Sequence, residues 1–205
     1  MSSPEKENPR SPEHLEAQRN RILDASEECF IKYGFNAASM ARIAETAGIS
    51  QGLAYRYFKN KSAIILAIIE RQLSERHSVT DSSENVDDFA AKILELVRHW
   101  SAQENGKISP VLFLEMCSES SRDPEIRDAM AKADRLYRED FAKWIENQAA
   151  AQGKTVSPEE IDRRFAALQA LIEGAALIAA RRDKVRDIST YEMFIEFVKR
   201  TMTLD

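Results

Sequence analysis

Apolar residues recur at three- and four-residue steps wherever Gly, Pro or a run of small polar residues does not interrupt them, and that spacing predicts helix throughout. Over residues 16–33, Ile22, Ala25, Cys29, Phe30 and Tyr33 form one stripe, which ends at Gly34. Met40, Ile43, Ala44 and Ala47 mark a short second helix with Ser39 at its N-cap. Gly48 then breaks the pattern, and Ser50 opens a third helix that carries Ala54 and Phe58 inward. Asn60 is placed to cap a long helix running to about residue 78, with Ile64, Ile65, Ala67, Ile68 and Leu73 inside. After a polar break at residues 80–85, a helix from 86 to about 103 shows Phe89, Ile93, Leu96, Val97 and Trp100. Residues 111–118 are apolar nearly all round, which predicts a central helix. Asp123-Pro124 starts a helix that stops near Gly153, striped by Ile126, Met130, Ala133, Tyr137, Phe141, Trp144 and Ile145. Ser157-Pro158-Glu159-Glu160 is a helix start with a cap, a first-turn proline and acids at the positive dipole end. That helix runs to about residue 182, and Ser189 opens the last one, with Tyr191, Phe194, Ile195, Val198 and Met202. No stretch alternates with period two, so the fold class is all-α: nine helices, three in an N-terminal head and six in a larger body.

Two short helices joined by a glycine turn over residues 39–61 form a helix-turn-helix unit. The run Gly34-Phe35, Ser39-Met40, Ile43-Ala44, Ala47-Gly48-Ile49-Ser50-Gln51-Gly52, Tyr55-Arg56-Tyr57-Phe58 and Lys61 resembles the signature of the TetR family of one-component transcriptional repressors. The resemblance covers roughly residues 18–65; beyond that the chain matches the family only in length and helical texture. Ala38 stands where these proteins often have Thr, which removes one possible phosphate contact, and Ser62 stands where an acidic residue is common. The resemblance implies a regulator that binds double-stranded DNA as a homodimer and releases a pseudo-palindromic operator when a small-molecule effector binds the C-terminal domain. The expected organisation is a flexible arm at residues 1–14, a DNA-binding domain at 15–60, and an effector-binding and dimerisation domain at 61–205.

The second helix of such a unit lies in the major groove and reaches base edges with its N-terminal residues. Gln51, Gly52, Leu53 and Arg56 share the outward face, with Tyr55 and Tyr57 beside it. A Gln amide pairs with adenine and an Arg guanidinium bidentately with guanine. Gly52 lets the backbone approach, and Leu53 either meets a thymine methyl group or turns in to fill the head core. Ser39, Tyr55, Tyr57 and Lys61 are suited to phosphate contacts, which position without reading sequence. Arg10, Arg19 and Arg21 either reach DNA from the arm or belong to a solvated tail.

The net charge of −5 first argues against a nucleic-acid partner, but residues 1–61 carry +1 and residues 39–61 carry +3. The positive charge is local to the proposed binding face, which is what phosphate attraction requires.

In the body, Gly174, Ala175, Ala176, Ala179 and Ala180 allow close helix approach. Phe165, Leu168, Ile172, Phe194, Ile195 and Val198 supply apolar area. This stripe either forms a dimer interface or packs inside the monomer. Trp100, Phe113, Met116, Tyr137, Phe141 and Trp144 concentrate in the middle helices, where the resemblance implies an apolar effector pocket. Glu115 and Glu173 interrupt apolar runs and either recognise a polar group there or sit at helix edges.

Composition narrows the remaining classes. His14, His77 and His99 are isolated, and there is no phosphate-cradling glycine loop, metal-ligand spacing or nucleophile motif, so an enzyme, a cofactor and a metal are not expected. Cys29 and Cys117 lie in apolar patterns and read as small buried hydrophobes. No apolar run reaches the roughly 18 residues of a membrane span, and the N-terminus is no signal peptide, so no membrane partner and a cytoplasmic location are expected.

Overall fold

The computed structural model describes residues 11–102, 109–181 and 188–204, and all of its regular elements among them are helices. They are α1 (Pro12–Ala37), α2 (Met40–Thr46), α3 (Gln51–Tyr57), α4 (Lys61–Ser82), α5 (Val86–Ala102), α6 (Pro110–Ser120), α7 (Pro124–Ala151), α8 (Pro158–Arg181) and α9 (Ile188–Met202). The chain divides into two compact units, Met1–Ile68 and Ile69–Asp205, and the division falls inside α4.

Most helix starts follow the capping chemistry. Ser39 and Ser50 each accept the backbone N–H three residues on, at 3.2 Å, and Asn60 accepts that of Ala63 at 2.8 Å. Asp123 accepts from the Glu125 and Ile126 N–H groups at the start of α7, and Ser157 from that of Glu160 at the start of α8. Several boundaries differ from the sequence reading: α6 runs from Pro110 to Ser120, α9 begins at Ile188 with Ser189 inside it, and the start of α1 and the end of α4 are displaced. Ser11 caps a helix beginning at Pro12, so residues 11–14, expected in the arm, form the first turn of α1; Arg10 lies outside the described residues. The helix α4 continues past residue 78 to Ser82, and there Thr80 donates to the His77 carbonyl and Ser83 to that of Val79.

In the first unit α1 packs on α2 and α2 on α3. Ile22, Leu23, Phe30, Ile43 and Ala54 are fully buried, and Phe30 stacks on Phe35 at 4.4 Å. Gly34, at φ 73° and ψ 166°, kinks α1 where its apolar stripe ends.

In the second unit α5 packs on α8 and α9, α6 on α7 and α8, and α8 on α9. Its core holds Phe89, Tyr137, Phe141, Trp144, Phe165 and Val198. Trp144 stacks on Phe89 at 4.6 Å and donates to the Ser83 carbonyl at 3.0 Å, which ties α7 to the turn before α5. His77 Nδ1 meets Asp140 Oδ2 at 2.6 Å and its Nε2 lies 3.5 Å from Asp81, so an ion-pair-capable contact links α4 to α7. The hydrogen bond to Asp140 raises the imidazole above its ordinary value of 6.5.

Candidate nucleic-acid interface

The turn between α2 and α3 is fixed by its backbone. Gly48 has φ +63°, its N–H bonds the Glu45 carbonyl at 3.0 Å, and the Ile49 N–H bonds the Ala44 carbonyl at 3.0 Å. These are the paired bonds of a Schellman motif, which ends a helix with one left-handed residue. The Arg21 guanidinium lies against this glycine, where an added Cβ would come within 2.8 Å of it. Arg21 is therefore packed on the turn from α1, not carried on an arm. Arg19 likewise lies on α1, over the Phe58 ring at 5.5 Å.

With the turn set, α3 inserts Ala54 and leaves its other side open. Gln51, Gly52 and Arg56 are exposed, Tyr55 is 49% exposed, and Leu53 and Tyr57 are half-buried. A Cβ built on Gly52 meets nothing within 4 Å. No packing inside the described chain requires glycine at that position, although it costs a helix stability relative to alanine. Arg56 makes no ion pair or hydrogen bond among the described residues, which leaves its fork available to an outside partner.

The flanking groups are more occupied. Ser39 is exposed at its oxygen-capping position, and its hydroxyl accepts from Arg42. Lys61 donates to the Phe35 carbonyl at 2.5 Å and the Asn36 carbonyl at 3.4 Å, and lies over the Phe35 ring. An ammonium has three N–H groups, so one remains for a phosphate, but the residue also closes the end of the α1 segment. Ala38 is fully buried. Sequence reasoning gave no role to Arg42, which stands exposed over the Tyr33 ring at 4.3 Å, with Lys32 near the same ring at 5.2 Å. The signal was present as a basic residue three positions after the Ser39 cap, on the solvent side of the α2 stripe.

The expected residues of the second unit separate into groups. Phe113 and Met116 line a cavity of about 30 Å³ together with Ile69, Gln72, Leu73, Met130, Ala133 and Asp134. The other expected pocket residues do not line this cavity. Tyr137, Phe141 and Trp144 fill the central core in mutual aromatic contact, and Trp100 packs with Val97, Ala176 and Ala179. Aromatic side chains striping a helix close the gap between helices instead of enclosing space. Glu173 is exposed on α8 and accepts from Gln169 at 2.8 Å, and it is not among the residues lining this cavity.

The residues of the expected dimer stripe differ in exposure. Phe165, Leu168, Ala176, Ala179 and Val198 are buried within the chain, with Ile172, Ala175, Phe194 and Ile195 packed against the same clusters. The buried five lie on the inward face of α8 and α9, and Ile172, Ala175, Phe194 and Ile195 stand half-buried at its edge. The outward face carries Leu177, Ile178, Met193 and Phe197, all 42% to 54% exposed. Gly174 lies beside it on α8, and a Cβ there meets nothing within 4 Å. Cys29 is buried near Thr46 and Cys117 is half-buried; both are free thiols. No helix among the described residues is long and apolar enough to cross a membrane, and no group of His, Cys, Asp and Glu among them could hold a metal.

Residues 22–68 match the family model for bacterial regulatory proteins of the tetR family, and residues 90–201 match that for the C-terminal part of BetI-type transcriptional repressors. The HTH-type transcriptional regulator UidR of Escherichia coli strain K12 is 32% identical over 145 residues, 69% of this chain and 70% of UidR. The HTH-type transcriptional repressor Rv1474c of Mycobacterium tuberculosis is 34% identical over 76 residues, which span 37% of this chain and only 40% of that protein. Among solved structures, the reduced form of E. coli NemR has a TM-score of 0.70 at 26% identity, covering 92% of this chain and 99% of NemR. Salmonella enterica GusR has the same fold, with a TM-score of 0.72 at 21% identity over 95% of this chain and 99% of GusR.

Proposed function

We propose that this chain, which belongs to the tetR family of bacterial regulatory proteins and is a DNA-binding transcriptional regulator, acts as a homodimeric repressor released from a pseudo-palindromic operator by a small molecule held in its second unit. The observation that carries the DNA-binding part is the outer face of α3, where Gln51 and Arg56 stand exposed around a glycine that no intrachain contact requires. In this reading Gln51 and Arg56 read base edges, Gly52 admits the backbone, and Leu53 offers its exposed part to a thymine methyl group. Ser39, Tyr55, Tyr57 and Lys61, joined by Arg42, contact phosphates.

One head reads only a few base pairs, so operator affinity calls for two heads about 34–36 Å apart, or a multiple of that distance. The exposed apolar face of α8 and α9, with Gly174 beside it, supports pairing through those helices. An effector that prefers the state with mis-spaced heads lowers DNA affinity by its differential affinity for the two states. Selection of genomic fragments bound by the protein tests the reading: one pseudo-palindromic motif with a fixed half-site separation is expected. Fragments sharing no two-fold motif would refute it.

A further inference from the structure

One cavity of the second unit is lined by a residue whose buried amide has no partner. Gln72, on α4, is only 5% exposed, and its Nε2 is buried with no hydrogen-bond partner. It shares the cavity wall with Leu73, Phe113, Met116 and Met130, and with the Asp134 carboxylate. A buried amide N–H left unpaired carries a desolvation penalty, and an arriving acceptor removes it. None of the eight lining residues is basic and one is acidic, so an anionic group would enter without a counter-charge.

We infer that this cavity takes a neutral, largely apolar molecule bearing one hydrogen-bond acceptor, and that Gln72 is the residue that selects it by donating to that acceptor. The inference rests on the reading of the second unit as effector-binding and names the chemical class of the effector. At about 30 Å³ the space holds roughly two waters, so a ligand requires the walls to move. Met116 and Met130 are the side chains able to do so, each unbranched with three rotatable bonds. Phe113 belongs both to this wall and to the cluster around Trp100, whose indole N–H is also buried without a partner. Displacing Phe113 would therefore enlarge the cavity toward a second donor.

The test uses the full chain and three probes of similar shape: acetophenone, ethylbenzene and benzoate. Ligand-observed NMR titration is expected to show acetophenone binding roughly tenfold more tightly than ethylbenzene, and benzoate not at all. In Gln72→Met, which keeps the length of the side chain, ethylbenzene affinity is expected to persist while the acetophenone preference falls to about one. The melting temperature of that variant, measured without probe, is expected to be unchanged or raised, since an unpaired buried donor has been removed. A lowered melting temperature together with an unchanged probe ratio would mean that water satisfies Gln72 and that it selects nothing. Tighter binding of benzoate, or binding by none of the three, would also overturn the assignment. A separate arm measures operator affinity with acetophenone present. Selective acetophenone binding that leaves operator affinity unchanged would uphold the assignment of Gln72 while removing the effector-release reading on which the name effector depends.

Discussion

Gly52→Ala separates the cost of a DNA-facing glycine from its use. In the free protein the new methyl group meets nothing within 4 Å, and Gly52 sits in the first turn of α3 with no left-handed backbone to strain. Alanine is more favourable than glycine in a helix by about 0.5–1 kcal/mol, and the lower end applies near a helix terminus. For a chain of 205 residues that gain corresponds to a rise of roughly 1–2 °C in melting temperature. On DNA the same methyl group holds α3 off the groove floor by a fraction of an ångström to about one. A gap of that size forfeits about a quarter to a half of each contact's dispersion energy and lengthens the base hydrogen bonds of Gln51 and Arg56. Since each good bidentate base contact is worth about 1–3 kcal/mol, the expected loss is about 1–2 kcal/mol, or roughly five- to thirtyfold in operator affinity. Thermal melting by circular dichroism and fluorescence anisotropy with the selected operator measure the two arms. A variant that melts higher and binds as tightly as the parent would show that α3 does not approach DNA at this residue. A variant that melts lower would show that the space beside Gly52 is not open.

Three further outcomes follow from the same coordinates. Gly48→Ala forces a left-handed residue with a Cβ against Arg21 and should cost about 1–2 kcal/mol, read as a lowered melting temperature; an unchanged value would remove the role given to the turn. Phe197→Glu, at a side chain 50% exposed, should leave helix content and folding intact but give a monomer by sedimentation with weakened operator binding, whereas a dimer of unchanged affinity would exclude that face. The His77 contact, in which Asp140 and Asp81 raise the imidazole and Lys143 opposes them, stabilises the fold most when His77 is protonated. Its contribution is complete below the ordinary value of 6.5 and is lost as pH rises through the elevated folded-state value. The melting temperature of the parent should therefore fall more across that window than that of His77→Gln, and identical pH profiles would contradict the assignment.

How far the sequence could be read depended on whether a property was local. Caps, first-turn prolines and the glycine turn are short-range chemistry, so Ser39, Gly48, Ser50, Asp123 and Ser157 announced their helices and the all-α fold with them. The start of α1 at Ser11-Pro12 used the same signature and was obscured by the surrounding polar, proline-rich composition. The exposure of Gln51, Gly52 and Arg56 followed from helical period alone, because the inward pair Ala54 and Phe58 fixes which way a seven-residue helix turns. The body was harder. Periodicity finds an apolar stripe but does not say whether another helix of the same chain or a second copy covers it, and on α8 and α9 only part of the stripe is buried within the chain. A cavity is the absence of packing among several helices, so no single stripe predicts it. Gln72 drew no notice because a glutamine among exposed-looking neighbours is ordinary, and only its burial gives it meaning.

The central claim is that the exposed side of α3 reads base pairs. The most direct test compares the parent and Arg56→Ala for the ratio of affinities on the selected operator and on a random duplex, at several salt concentrations. A fall in that ratio of about 1–3 kcal/mol, with binding to random DNA changed far less, is the predicted result. A ratio that stays the same when Arg56 is removed would contradict it.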